Sequence, residues 1–308
     1  MHLLCQSHST TAASTRYALF VHDWTKFVDG FKLQDFSDII RTEEYVDYFS
    51  LRGLLGEQPS ENLEKPVVVG DARRFGSVNP ENMTPIPPQW GDLARLHWIC
   101  LSREVVNVVE FGSGQSTAVL AHALELNETV LSEWVAKHRR HPNPFTLTTV
   151  DESASWLEVA LSRVPERLID RIHAVSTPVR VGLFGGRVCS FYEKVPDLVA
   201  DLVYIDGPSQ YGYQDPEELF DFGKPHLMPM SGDILPVEHF FEPGAIVVFD
   251  GRTSNARFFR ANLQRVWRYE FLREDEVHFF ELQEDSLGPV NSNRLNRLSA
   301  ERERFLLN

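Results

Sequence analysis

The sequence predicts an α/β fold: a doubly wound, mostly parallel seven-stranded sheet with a C-terminal antiparallel hairpin and a helical N-terminal extension. Three observations lead there. Short, nearly continuous apolar runs such as Asp201–Asp206 (DLVYID) and Ala245–Asp250 (AIVVFD) mark strands buried on both faces. Stretches of helical spacing separate such runs, which is the order of parallel crossover units. The last two runs, Trp267–Arg273 and Glu276–Leu282, are joined by a short charged turn and therefore pair antiparallel.

Taken in order, residues 1–90 are expected to form a helical N-terminal extension with a Pro-rich linker. Within Leu33–Leu55, apolar residues including Phe36, Ile39, Val46 and Phe49 recur at near-helical spacing. The polar stretch Gly56–Pro66 and the run Thr84–Trp90 (TPIPPQW) then read as linker. The main domain is expected over 91–285. It opens with a helix at Asp92–Ser102, a strand at Val105–Phe111 and a helix at Gln115–Leu126. A second strand at Phe145–Asp151, a helix from Ser153 to Arg163 and a third strand at Arg171–Thr177 follow. Between sheet strands, a hairpin insertion at about 178–192, turning at Gly185–Gly186, is expected to act as a flap. Residues 286–308 are expected as a polar C-terminal tail, a solvated helix or a frayed end.

Composition narrows the function classes. With 308 residues, 43% of them hydrophobic, the chain can bury a sizeable core and is not disordered overall. Its net charge of -14, from 44 acids and 30 bases, argues against a nucleic-acid partner, which needs clustered Lys and Arg. The charge is uneven: Gly185–Asp250 carries twelve acids and three bases, whereas Gly251–Arg273 carries six Arg and one Glu. Cys5, Cys100 and Cys189 form no paired framework, as expected in a reducing compartment. The first sixteen residues lack a signal peptide's apolar stretch, and no run approaches a membrane span, so a cytoplasmic location without a membrane partner is expected.

The strongest chemical signal is Val108–Thr117, VVEFGSGQST. A strand ends in an acid, Glu110, then Phe111; a turn with Gly112, Ser113 and Gly114 follows, and Ser116 and Thr117 begin a helix. The glycines permit a sharp turn and close approach to a ligand, and the helix N-terminus offers free N–H groups. The next strand closes on Asp151, followed by Glu152. An acid at that position accepts ribose hydroxyls, or else caps the helix Glu152–Leu161. Trp156 on that helix is placed to cover an adenine ring or to pack in the core.

These segments, with DLVYIDGP and GAIVVFDG, resemble the class I, Rossmann-like S-adenosylmethionine-dependent methyltransferases over roughly Asn107–Arg252. The GSGQST form is similar to bacterial small-molecule and sugar O-methyltransferases. The resemblance implies S-adenosylmethionine as cofactor, its methionine end held by the Gly112–Gly114 turn, with Glu110 near its amino group and Asp151 at its ribose. It places the acceptor site at Asp206–Tyr211 (DGPSQY), where Asp206 serves as general base or as part of a turn. Metal-dependent relatives often carry paired acids after the fifth strand and a His after the fourth. Here Gly251 replaces the second acid and no His lies in 207–212, so no metal is expected.

Tyr211 and His239 join Asp206 as candidate catalytic groups, imidazole because it titrates near neutrality; His226 is a further histidine of the same kind. Asp250 and Arg252 are candidates for binding the substrate, Arg252 by pairing with an acidic group. The expected activity is methyl transfer to a hydroxyl of a small molecule or sugar. The N-terminal helices and the flap would shape the acceptor cavity or a homodimer contact. An NAD-dependent oxidoreductase and a catalytically inactive cofactor-binding scaffold are the alternatives.

Overall fold

The computed structural model describes residues 41–55, 87–139, 141–195, 200–208 and 229–306. Two short helices, α1 (Thr42–Tyr48) and α2 (Leu51–Leu54), precede α3 (Trp90–Ser102). Strands and helices then alternate through β1 (Asn107–Phe111), α4 (Gln115–His138), β2 (Thr146–Asp151), α5 (Ala154–Ser162), α6 (Glu166–Ile169) and β3 (Ile172–Ser176). The inserted hairpin, β4 (Val179–Phe184) and β5 (Arg187–Tyr192), comes next, before β6 (Leu202–Ile205) and the two-residue β7 (Met230–Ser231). A 3₁₀ helix at Leu235–Phe240 leads into β8 (Ile246–Asp250) and α7 (Thr253–Asn262). Finally come β9 (Trp267–Leu272), β10 (Val277–Leu282) and α8 (Pro289–Leu306).

The main sheet has seven strands in the order β3-β2-β1-β6-β8-β10-β9. The first five run parallel, and β10 lies antiparallel to both β8 and β9. This is the doubly wound sheet with a closing hairpin that the sequence predicts. From β1 the chain winds outward to β2 and β3, then crosses back to lay β6 on the other side of β1. Neighbouring strands there lead away in opposite directions, which opens a crevice at their carboxyl ends.

Both faces of the sheet are covered, which explains the unbroken apolar runs. On one face Val108, Leu147, Leu202, Ile246 and Phe279 pack with α3, α4 and the N-terminal helices. On the other, Val109, Phe111, Val203, Val247 and Phe249 pack with Ala256 and Phe259 of α7. Tyr45, Val46 and Leu51 are fully buried in the first core, so α1 and α2 belong to the domain that was expected to start at residue 91. The linker at 56–66 and residues 84–86 of the Pro-rich run lie outside the described residues.

β4 and β5 pair antiparallel from Val179↔Tyr192 to Phe184↔Arg187, with Gly185 and Gly186 at φ +54° and +77°. Two successive positive φ values are what a tight hairpin turn demands of glycine. β7 adds a third strand to this small sheet beside β5.

The C-terminal tail is a docked helix and corrects the expectation of a solvated or frayed end. Arg294 of α8 is 3% exposed and ion-pairs with Asp201 at 3.1 Å. Arg297 bonds Glu104 at 2.6 and 2.8 Å and lies over the Trp134 ring. Arg294 and Arg297 are its anchors. Among the described residues no helix is long and apolar enough to cross a membrane.

Candidate active site

The crevice floor is built from the turns after β1 and β6. Gly112, at φ +90°, occupies the left-handed region. A Cβ there would stand 2.6 Å from the Gly207 backbone nitrogen. The close approach read from Gly112 is thus to the chain's own backbone. Gly114 differs: its backbone is extended and nothing lies within 4 Å of where its Cβ would be. Open space therefore adjoins the N-terminus of α4.

Glu110 is fully buried beneath this turn. Ser116 Oγ donates to Oε1 at 2.5 Å and Thr117 Oγ1 to Oε2 at 2.7 Å, while the Gly114 N–H donates to Thr117 Oγ1 at 3.0 Å. Burial pushes the carboxyl up to about 7, against the pull of the Ser116 and Thr117 hydroxyls. Glu110, Ser116 and Thr117 therefore form one lock that ties the start of α4 to the end of β1.

A second lock fixes Ser113. Its N–H and hydroxyl both donate to Asp151 Oδ2, at 2.8 and 2.7 Å, and the Ser153 N–H donates to Oδ1 at 2.9 Å. Trp156 Nε1 donates to the Ser113 carbonyl at 2.8 Å. The cap of α5 is Ser153, whose Oγ accepts from the Trp156 N–H, and not Asp151. The strand-end acid and the indole thus act first on the turn. Glu152, the next residue, is partly exposed and accepts from the Tyr192 hydroxyl at 3.2 Å.

At the ends of β6 and β8 stand two more carboxylates. Asp206 is 57% exposed and lies 3.6 Å from Arg252 Nε. Asp250 accepts from the buried Tyr204 hydroxyl at 3.1 Å. Burial, followed by the charges of Asp92 and Asp206, raises Asp250 to about 7; the Tyr204 bond and Arg95 pull the other way. Arg252 donates to the carbonyls of Pro208, at 2.9 Å, and Asp206. Its guanidinium staples the loop after β6, a use not read from the sequence.

One candidate lies apart from this assembly. His239 is in the 3₁₀ helix before β8, next to Glu238, which accepts from the N–H groups of Gln264 and Arg265 just before β9. That is the amino-terminal end of the sheet, about 16 Å from the strand ends by the rise of a five-residue strand. The expectation that His239 is catalytic is therefore corrected: its sequence neighbourhood looked suitable, but the chain has yet to cross the sheet. Tyr211 and His226 lie outside the described residues. A cavity of about 650 Å³, lined by Arg103, Gly244, Val266, Glu281 and Leu295 among others, is also at the amino-terminal end and takes no part.

Sequence reasoning missed Tyr192 and Asp233. The ring of Tyr192 stacks on Phe111 at 5.5 Å, and its backbone N–H donates to Asp233 Oδ1 at 2.8 Å. Only the position of Tyr192, last in the flap's second strand, was legible beforehand.

No protein-family model matches the chain, and no curated protein matches it. Solved structures give distant likenesses. The O-methyltransferase TomG from Streptomyces achromogenes, solved with SAM, is 14% identical, with 80% of this chain and 100% of that one covered and a TM-score of 0.37. An O-methyltransferase from Bacillus cereus, solved with SAH, is 14% identical, with 82% and 96% covered and a TM-score of 0.35. Human methyltransferase-like protein 13, also with SAH, is 13% identical, with 69% and 90% covered and a TM-score of 0.29. Likeness at this distance carries no activity with it.

Proposed function

We propose that the chain is a class I S-adenosylmethionine-dependent methyltransferase acting on a hydroxyl of a small molecule or sugar. The observation that carries this is the β1–α4 turn at the sheet's switch point. Asp151 and Trp156 hold Ser113 from one side, the Glu110 lock holds α4 from the other, and Gly114 faces open space between them. The residues fit a nucleoside cofactor with an amino-acid end. Gly114 and the first amides of α4 would hold the carboxylate end, and Asp151 and Glu152 would face the ribose. Trp156 would border the base.

The bound cofactor supplies a sulfonium methyl, an electrophile needing no further activation. What remains for the protein is to position the acceptor and to take its proton. Asp206, paired with Arg252, orients the acceptor at the mouth. Asp250 stands behind it with a carboxyl near neutrality, which suits a proton acceptor at pH 7 better than an ordinary aspartate. Burial raises Asp206 as well, but its pairing with Arg252 engages it, so the general-base role expected of Asp206 is assigned in this reading to Asp250.

A nicotinamide dinucleotide fits less well. Its fingerprint needs a glycine where Thr117 stands, and Thr117 is fully buried against Glu110. Calorimetric titration with S-adenosylhomocysteine, and separately with NAD, tests the assignment. Binding of the first alone is expected. No heat with S-adenosylhomocysteine, or binding of NAD, overturns it.

A further inference from the structure

Tyr192 belongs to the flap, yet it touches the ends of three strands of the main sheet. Its N–H is fixed by Asp233 Oδ1 at 2.8 Å, and Asp233 Oδ2 takes the Ser231 hydroxyl at 2.8 Å. Its ring lies over Phe111 at the end of β1. The hydroxyl reaches Glu152, just past β2, at 3.2 Å. The same hydroxyl stands 2.6 Å from where a Cβ on Gly207, just past β6, would be.

Packing against Phe111 needs only a phenyl ring. A hydroxyl on a residue 4% exposed must find a polar partner, and here it is the Glu152 carboxylate. Burial and the surrounding carboxylates of Glu152, Asp151 and Asp233 push the phenol well above its usual 10, so it remains a proton donor across the working pH range.

The two acids after β2 divide their tasks. Asp151 is 4% exposed and its oxygens serve Ser113 and Ser153. Glu152, one residue past the strand and partly exposed, takes the Tyr192 hydroxyl instead. A carboxylate can accept from two vicinal hydroxyls when its rotamer is held, and a fixed donor on one oxygen holds it at little entropic cost on binding.

We propose that Tyr192 is a positioning residue that aims Glu152 at the ribose diol of the cofactor, so that the inserted flap and the cofactor grip work as one unit. This rests on the methyltransferase reading above and assigns the diol to Glu152, with Asp151 as the turn's support.

The test compares S-adenosylhomocysteine with its 2′-deoxy analogue by calorimetry, on the full chain and on Tyr192→Phe, Glu152→Gln and the double variant. The full chain is expected to prefer the diol-bearing ligand. Tyr192→Phe should weaken that ligand about tenfold while leaving the deoxy analogue unchanged, and it should add nothing once Glu152 is Gln. A partly unfolded variant would lose both ligands alike. Equal losses for the two ligands, no loss in Tyr192→Phe, or additive losses in the double variant overturn the proposal. Failure of the full chain to bind S-adenosylhomocysteine at all instead removes the methyltransferase reading beneath it.

Discussion

Gly112, Gly114 and Gly207 share a crevice but have different reasons to be glycine. Gly207→Ala would drive a methyl to 2.6 Å from both the Gly112 nitrogen and the Tyr192 hydroxyl. Backbone cannot yield cheaply there, and a loss of about 2–3 kcal/mol in urea unfolding is expected, as for overpacked cores. Gly114→Ala meets nothing within 4 Å and keeps an ordinary extended backbone, so its stability should change by under about 1 kcal/mol. Its methyl would stand where the cofactor is proposed, and S-adenosylhomocysteine affinity should fall by more than tenfold. A stable Gly114→Ala protein that binds as well as wild type would remove the ligand from that space. At the strand ends, catalysis through Asp250 requires the carboxylate, so kcat should rise with pH through about 7. With any acceptor turned over from a phenol and sugar panel, Asp250→Asn should abolish that limb, and Asp206→Asn should mainly raise KM. A profile unchanged in Asp250→Asn returns the base role to Asp206. The motif residues were legible because glycine and strand-end acids carry positional meaning. Their partners were not: nothing local announces that Asp151 turns back to Ser113, 38 positions earlier, or that Arg252 reaches across to the loop after β6.

The elements were more legible than their contacts. The central strands β1, β6 and β8 stood out because burial on both faces leaves nearly unbroken apolar runs, whereas the edge strands β3 and β9 are only partly buried. The helices around them were harder to join together, and α3 and α4 show why. His97 and His122 lie inside apolar helices, yet the Tyr45 hydroxyl meets His97 Nδ1 at 2.8 Å, and His97 Nε2 meets His122 Nδ1 at 3.1 Å. A chain of this kind joins α1, α3 and α4, and only the fold brings its members together. It works with neutral imidazoles. Burial, reinforced by Arg167 and Arg171, lowers His122 to about 4. A histidine whose folded value lies below its unfolded value of about 6.5 stabilises the fold fully above that pH, and its contribution is lost as pH falls toward 4. The loss attributable to His122 is about 3 kcal/mol. Raised acids such as Glu110 act in the opposite sense, with stability falling as pH rises toward 7. Comparing wild type with His122→Gln in urea at pH 7 and pH 4.5 cancels that shared background. The variant should lose less stability on acidification; equal losses would show that the pair does not carry the acid sensitivity.

Across the whole molecule, the acid-rich segment followed by six arginines is less concentrated than its sequence suggests. Asp206 and Asp250 end strands at the crevice, but Asp201 begins β6 at the opposite end and Glu238 braces the start of β9. Arginines of the following stretch are largely engaged within the fold: Arg252 on the loop after β6, Arg265 on Glu284, Arg268 on Glu281, Arg260 over Tyr269. The molecule thus has two charged ends, one chemical and one structural, separated by the length of the strands. The structural end turns on Asp201. Burial opposes its charge, but Arg294 and Arg139 with the Val106 N–H hold the carboxyl at about 2. A depressed acid contributes stability above its unfolded value near 4 and loses it as pH falls through 2, so this clasp is intact at all ordinary pH. Arg294→Leu removes one of its two cations and loosens α8, which Arg297 and Asn291 still hold. The cost should sit near the lower end of the roughly 3–5 kcal/mol for a broken buried pair, because Arg139 still faces Asp201 at 2.9 Å. Asp201 and Asp206 stand five residues apart along one strand, about 16 Å, so S-adenosylhomocysteine affinity should be unchanged while the urea midpoint falls. Parallel loss of affinity and stability, measured on protein that is still folded, would mean that the two ends are coupled through β6 and that α8 tunes the crevice from below.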